Sequence, residues 1–273
     1  MIFVPERSHD TPEEPLTSEF HRLDRTSGEA TAVGTLDGVD AATVADGDSY
    51  AIAGDRLVSL DGSGGERWSY SLPGPGVELF PGPEGVVAVA KKAGLSGGGN
   101  RVIGVGPDGE RRWRHDVPEA HDADVVLADD IVYVGGGEGV AAVRLDGTLE
   151  WRDGRPGGWP VVDESTDRLY TRSGTRADTV AAYAPGGGHR WTFDPGTSDA
   201  WPATVTDDAV LVTAMTGEHA SEPSYTVYAL DPETGRGGAL TQVETIFAAE
   251  PVRSRAYLAA GSKIHAFEAS PGS

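Results

Sequence analysis

Residues 57–68 read LVSLDGSGGERW, and the pattern returns as VIGVGPDGERRW at 102–113, VAAVRLDGTLEW at 140–151 and VAAYAPGGGHRW at 180–191. Each copy is an apolar run, a turn of Asp, Gly or Pro, then a charged residue and a tryptophan. The closing residues Trp68, Trp113, Trp151 and Trp191 stand 45, 38 and 40 residues apart. A period near 40 leaves room for four strands of about six residues with their turns. Weaker copies extend the array. FHRLDRTSGEAT starts at Phe20 with Thr31 in the Trp place, VYALDPETGRGG starts at Val227 with Gly238 there, and IHAFEASPGS starts at Ile264.

Two further strand-like segments separate each frame from the one before. WPVVDES and RLYTRSG fill 159–174, and WPATVTDD and AVLVTAM fill 201–215. Short β-branched runs broken by Gly, Asp and Pro are strands joined by hairpins. The unit is therefore a four-stranded antiparallel blade, and stacking such units buries the faces that one alone would expose. The expected fold is an all-β β-propeller of six blades, with seven as the alternative. The repeated tryptophans belong to the packing between blades. Gly 38 and Pro 18 in 273 residues also argue against long helices, because both cost stability in a helix interior.

The segment with Tyr228, Ala229, Leu230, Asp231 and Thr234-Gly235, together with Leu60-Asp61 and Gly65-Glu66-Arg67-Trp68, resembles the pyrroloquinoline-quinone-type propeller repeat. The resemblance spans about residues 20 to 270. It implies the non-catalytic branch of that family, which includes the propeller lipoprotein of outer-membrane barrel assembly. The quinone-dependent dehydrogenases of the family carry a vicinal Cys pair, and this chain has no cysteine. The expectation is a binding scaffold with no cofactor, pyrroloquinoline quinone included. An enzyme of quinoprotein-dehydrogenase or lyase-like propeller type is the alternative.

The domain expectation is a flexible acidic, Pro-rich tail over 1–19 and one propeller over 20–273. In that scheme Gly28 to Val33 supplies the outer strand of the last blade and removes an open edge.

Asp and Glu total 43 against 22 Lys and Arg, a formal net charge of −21. Only Lys91, Lys92 and Lys263 are lysines. Such a surface repels phosphate backbones, so nucleic acid is excluded as an expected partner. Dispersed acids with few lysines fit a halophile's solvated surface. No run approaches the roughly 18 apolar residues of a membrane span. The start, MIFVPERSHD, lacks the pattern of a secretory signal. The expected location is the cytoplasm, or outside it if the true start lies upstream of Met1. The expected partner is a protein or small ligand, and the expected state a monomer.

Sought chemistry is sparse. No P-loop, dinucleotide fingerprint, HExxH or nucleophile elbow occurs. His9, His21, His115, His121, His189, His219 and His265 form no pair at metal-ligand spacing, and no metal site is expected. One constellation stands out. Aligning the innermost strands on their starts puts Asp40, Glu78, Ala123, Trp159, Trp201 and Glu250 in one place. In a propeller that place rings one mouth of the central channel. Asp40, Glu78, Trp159, Trp201 and Glu250 could then hold a cationic or sugar-like ligand by charge and ring faces. The competing reading is that Trp159-Pro160 and Trp201-Pro202 plug the channel.

Overall fold

The structure is a computed structural model. It describes residues 2–4, 17–23, 26–27, 29–45, 47–92, 99–117, 125–174, 176–197, 199–216, 224–244, 246–252, 255–260 and 263–268. Among these residues every regular element is a strand, and no helix long and apolar enough to cross a membrane occurs.

The chain divides into two compact units. The first comprises Met1–Glu119 with Val143–Leu149, and the second Ala120–Ala142 with Glu150–Ser273. In the first unit β1 (Ile2–Val4), β2 (Thr17–Leu23) and β3 (Ala30–Asp37) form a three-stranded antiparallel sheet. Two four-stranded sheets follow in chain order. They are β4 (Val39–Ala45), β5 (Asp48–Ala53), β6 (Arg56–Leu60) and β7 (Glu66–Ser71), then β8 (Gly76–Gly82), β9 (Gly85–Lys91), β10 (Asn100–Val105) and β11 (Arg111–Val117). Strand β1 lies in the segment expected as a tail. Most of the segment expected to close the last blade lies in β3, which pairs with β2 from Leu23↔Ala30 to Thr17↔Asp37.

The second unit holds β12 (Val125–Ala128), β13 (Ile131–Gly136) and most of the sheet completed by β14 (Gly139–Arg144) and β15 (Leu149–Asp153), whose residues 143–149 fall in the first unit. The next four strands are β16 (Gly157–Asp163), β17 (Arg168–Ser173), β18 (Thr179–Tyr183) and β19 (His189–Phe193). A single bridge, Gly136↔Gly157, joins them to β13. Then come β20 (Ala200–Val205), β21 (Val210–Met215), β22 (Tyr225–Leu230) and β23 (Gly237–Val243). The last sheet is β24 (Ile246–Val252), β25 (Arg255–Ala260) and β26 (Lys263–Glu268).

Burial follows the place of a strand in its sheet. The third strands β6, β10, β14, β18 and β22 are buried almost throughout, because both faces are covered. Strand β26, third in its own sheet, leaves Ile264 76% exposed. Outer strands alternate, as half-covered strands do.

The framed tryptophans explain how consecutive repeats are joined. In β7, β11 and β19 the Trp pairs with a small residue of the third strand: Ser59↔Trp68, Gly104↔Trp113 and Ala182↔Trp191. The register then skips one residue, so Arg67, Arg112 and Arg190 are the unpaired residues of β-bulges. That is the physical meaning of "charged residue, then Trp": the bulge turns one side chain to water and the next inward. Each indole meets a left-handed turn glycine of the following repeat. The pairs are Trp68 with Gly109 (φ 81°), Trp113 with Gly147 (φ 94°), Trp151 with Gly187 (φ 80°) and Trp191 with Gly235 (φ 67°). A Cβ at any of these glycines would come within 3 Å of the ring. Three indole N–H groups also donate to a carbonyl of that turn: Trp68 to Pro107 (2.8 Å), Trp151 to Pro185 (3.0 Å) and Trp191 to Pro232 (3.0 Å). Trp151 and Trp191 are buried, whereas Trp68 and Trp113 are half-buried.

The turn aspartates hold these loops in shape. Asp61 Oδ1 accepts from the N–H groups of Ser63 and Gly65, and Asp231 Oδ1 from those of Glu233 and Thr234. Such side-chain-to-backbone bonds mimic a backbone turn. They favour the ionised carboxylate, so both carboxyls are held below the usual aspartate value. The Ser63 hydroxyl is the largest cause for Asp61 and the Thr234 hydroxyl for Asp231.

Candidate functional site

The five residues expected at one mouth do not share one register position. Bulges mark the innermost strands. The skipped residue is Asp40 in β4, Val77 in β8, Ala203 in β20 and Phe247 in β24, and in β16 the skip covers Trp159 and Pro160. Asp40 and Trp159 therefore sit in bulges. Glu78 lies just past one, Trp201 before one and Glu250 well past one. A strand start is a poor ruler when the bulge moves, because each added residue reverses which face a side chain takes.

Asp40 and Glu78 belong to the first unit. The Asp40 carboxylate accepts from the Gly54 N–H at 3.1 Å, and Glu78 Oε1 from the Leu79 N–H at 3.2 Å. Glu250 lies in β24 with its backbone opposite Tyr257, and its side chain is outside the described residues.

Trp159 and Trp201, both in the second unit, do come together. Their rings meet edge to face with centroids 5.1 Å apart, and Trp201 meets Tyr225 in the same way at 5.6 Å. This geometry sets the positive edge of one ring against the negative face of the next. Trp159 is nevertheless 39% exposed. Its φ is +47°, a conformation that a bulky side chain rarely adopts and that the following proline further disfavours. A strained, part-exposed tryptophan is held there by its surroundings.

Arg172, which the sequence did not single out, completes the group. It pairs with Gly158 across β16 and β17, and its guanidinium carbon stands 5.1 Å from the centre of the Trp159 ring. Its Nη2 is 2.8 Å from Asp199 Oδ1. That ion pair is close but off-axis, so Asp199 Oδ1 accepts no well-directed hydrogen bond. Arg172 Nε is buried and makes no hydrogen bond among the described residues. Beside these groups is a cavity of about 270 Å³ whose wall is largely glycine backbone. Gly157 has no room for a Cβ beside Val140, and Gly174 sits at φ +86° against Asp178.

The edge-to-face pair was legible as the repeated Trp-Pro of 159–160 and 201–202. Arg172, Asp199 and Tyr225 were not, because their proximity depends on two separate hairpins. Among the described residues no group of three or more His, Asp or Glu side chains is placed to hold a metal.

Repeated antiparallel blades, four of them fastened to the next by a tryptophan on a left-handed glycine, make this an all-β propeller. Residues 17–236 match the family described as outer membrane protein assembly factor BamB, and the chain belongs to that family. No curated protein matches the sequence. Among solved structures, BamB from Moraxella catarrhalis is similar at 17% identity with a TM-score of 0.57. That match covers 90% of this chain and 78% of that one. Sqt1 from Saccharomyces cerevisiae is similar at 10% identity with a TM-score of 0.54, over 89% of this chain and 76% of that one. At such identities the likeness is one of fold, and folds of this kind host many functions.

Proposed function

We propose that this protein is a binding scaffold whose working surface is the aromatic group around Trp159 and Trp201, and that its partner is another protein. The observation that carries the reading is Trp159: a large ring left 39% exposed, at positive φ, packed against a second tryptophan and under an arginine. Tryptophan and arginine are the residue types that dominate binding hot spots. The family's description as an assembly factor supports a protein partner. The reading requires no cofactor. The dispersed acidic surface is proposed as an adaptation to high salt.

The experiment places a photo-crosslinking amino acid at position 159 and, as a control, at Leu149, which is equally exposed in a different strand. In the native cell a discrete crosslinked partner is expected from position 159, absent from position 149, and lost when Trp201 is replaced by Ala. Equal capture at both positions, or capture indifferent to Trp201, overturns the assignment of this surface.

A further inference from the structure

The cavity beside Trp159 has a chemistry narrower than a general docking surface. Three of its features bear on what can enter. Its wall at Gly157, Gly158 and Gly174 is peptide backbone: a Cβ at Gly157 would collide with Val140, and Gly174 holds φ +86°, which side-chain-bearing residues rarely adopt. One side is the Trp159 ring. The polar group is Arg172, flanked by Ser173, whose hydroxyl is already donated to the Pro156 carbonyl at 2.9 Å.

Arg172 is the unusual member. A guanidinium carries five N–H donors in a planar fork. Here one Nη engages Asp199 off-axis and the Nε is buried out of reach of the cavity, so the donors open to a ligand are those of the accessible end of a side chain that is 26% exposed and lines the cavity. The ligand that suits the accessible end of such a fork is a planar oxyanion, because a carboxylate can accept from more than one N–H group at once.

Charge and size narrow the class. A cation is disfavoured, since a guanidinium already stands at the Trp159 ring. A dianion is disfavoured too. Asp199 offsets the charge of Arg172 locally, and the chain as a whole carries −21. The cavity of about 270 Å³ has room for a small organic molecule rather than for a single water.

We propose that this cavity binds a monocarboxylate, its carboxylate on the accessible end of the Arg172 guanidinium and its compact apolar body against Trp159 and the glycine wall. The proposal rests on the reading of this surface as a binding face and names what that face recognises. The carboxylate can come from a free small acid or from the C-terminus of a peptide chain, and both present the same group to Arg172.

The test uses the full chain and follows tryptophan fluorescence and heat of binding. Benzoate is compared with benzamide and benzylammonium, and the peptide Gly-Gly-Phe with its C-terminal amide. Benzoate is expected to bind at least about tenfold more tightly than benzamide, the scale of hydrogen bonds to a charged group. Arg172→Lys keeps the charge but not the fork, and should lose most of that preference while the thermal midpoint is retained. If the variant does not fold, the acid-to-amide ratio on the native chain still decides. Equal binding of benzoate and benzamide, or tighter binding of benzylammonium, overturns the proposal. Gly-Gly-Phe binding more tightly than benzoate assigns a chain terminus as the source, and the reverse order assigns a free acid. Loss of the acid preference with crosslinking at position 159 intact removes only the ligand class. Acid binding without any crosslinked partner removes the protein-partner reading and leaves a small-molecule site.

Discussion

Trp191 and Trp159 stand 32 residues apart in the same unit and are put to opposite uses. Trp191 is buried at 8% exposure, donates its indole N–H to Pro232 and lies on Gly235, where no side chain could fit. Trp159 is 39% exposed, adopts a left-handed backbone and touches another tryptophan and an arginine. The first is satisfied by the chain itself, and removing it empties a made contact. The second is only half covered and holds a backbone conformation that costs energy. The contrast teaches that residue type alone does not separate scaffold from site, whereas position relative to the repeat does.

The sharpest way to break this contrast is to remove the rings. Trp191→Ala or Trp151→Ala is expected to cost about 3–5 kcal/mol, the range for a large aromatic cavity. Trp159→Ala should cost less than about 1 kcal/mol, because a part-exposed ring forms no sealed cavity and its loss leaves a smaller residue at the strained φ. Urea midpoints compared at a constant slope give both values. A Trp159 variant as unstable as the Trp191 variant would make that ring part of a plugged core.

Next in size are the glycines that seat the buried rings. Gly187→Ala should cost about 1–3 kcal/mol, since it combines a left-handed φ with collision on Trp151. Gly186→Ala, one residue away with nothing within 4 Å, should change stability by no more than about 0.5 kcal/mol. Similar losses at both positions would mean that the turn tolerates the collision by moving.

Salt should act on the whole chain and not on this contrast. With a net charge of −21, screening of self-repulsion should raise the thermal midpoint from low salt to molar potassium chloride. A flat or falling curve removes the halophile proposal.

The smallest expected effect is at the turns. The carboxyls of Asp61, Asp108, Asp146 and Asp231 are all held below their ordinary value, Asp108 mainly by Arg112 and Asp146 mainly by the Thr148 N–H. A depressed folded value means that their contribution is complete above the unfolded value, about 3.9, and fades as pH falls through the folded one. Stability should therefore drop below about pH 4, and Asp231→Asn should shallow that drop. An acid limb unchanged by Asp231→Asn and by the same change at Asp146 would place the acid sensitivity elsewhere.

The parts of the clasp were legible in the sequence because each recurs with the repeat, although the tryptophan of one copy meets the glycine of the next. Apolar run, turn glycine, charged bulge residue and tryptophan fall within twelve residues, so repetition exposes them. The aromatic group was half legible: Trp-Pro recurs, but Arg172 and Asp199 look like ordinary surface charges until β17 is laid beside β16 and Asp199 is brought to it. The alignment that joined Asp40, Glu78, Trp159, Trp201 and Glu250 took strand starts as equivalent, whereas the bulges fall at different distances from those starts. A bulge adds one residue without changing the look of a strand, and nothing in GVELFPG marks Val77 as the residue to skip.

The clasp has an evolutionary corollary. Its two halves lie in consecutive repeats, the tryptophan in one and the glycine turn in the next, separated by roughly one period of chain. Unequal recombination between equivalent points of two repeats deletes or adds one period and still leaves every tryptophan facing a glycine turn. The coding sequence can lengthen or shorten by whole repeats without inventing a new contact, and selection need only refit the ends of the array. A lineage built on such a fastening can change its number of repeats while residues outside the clasp, carried on a few particular hairpins, diverge at their own pace.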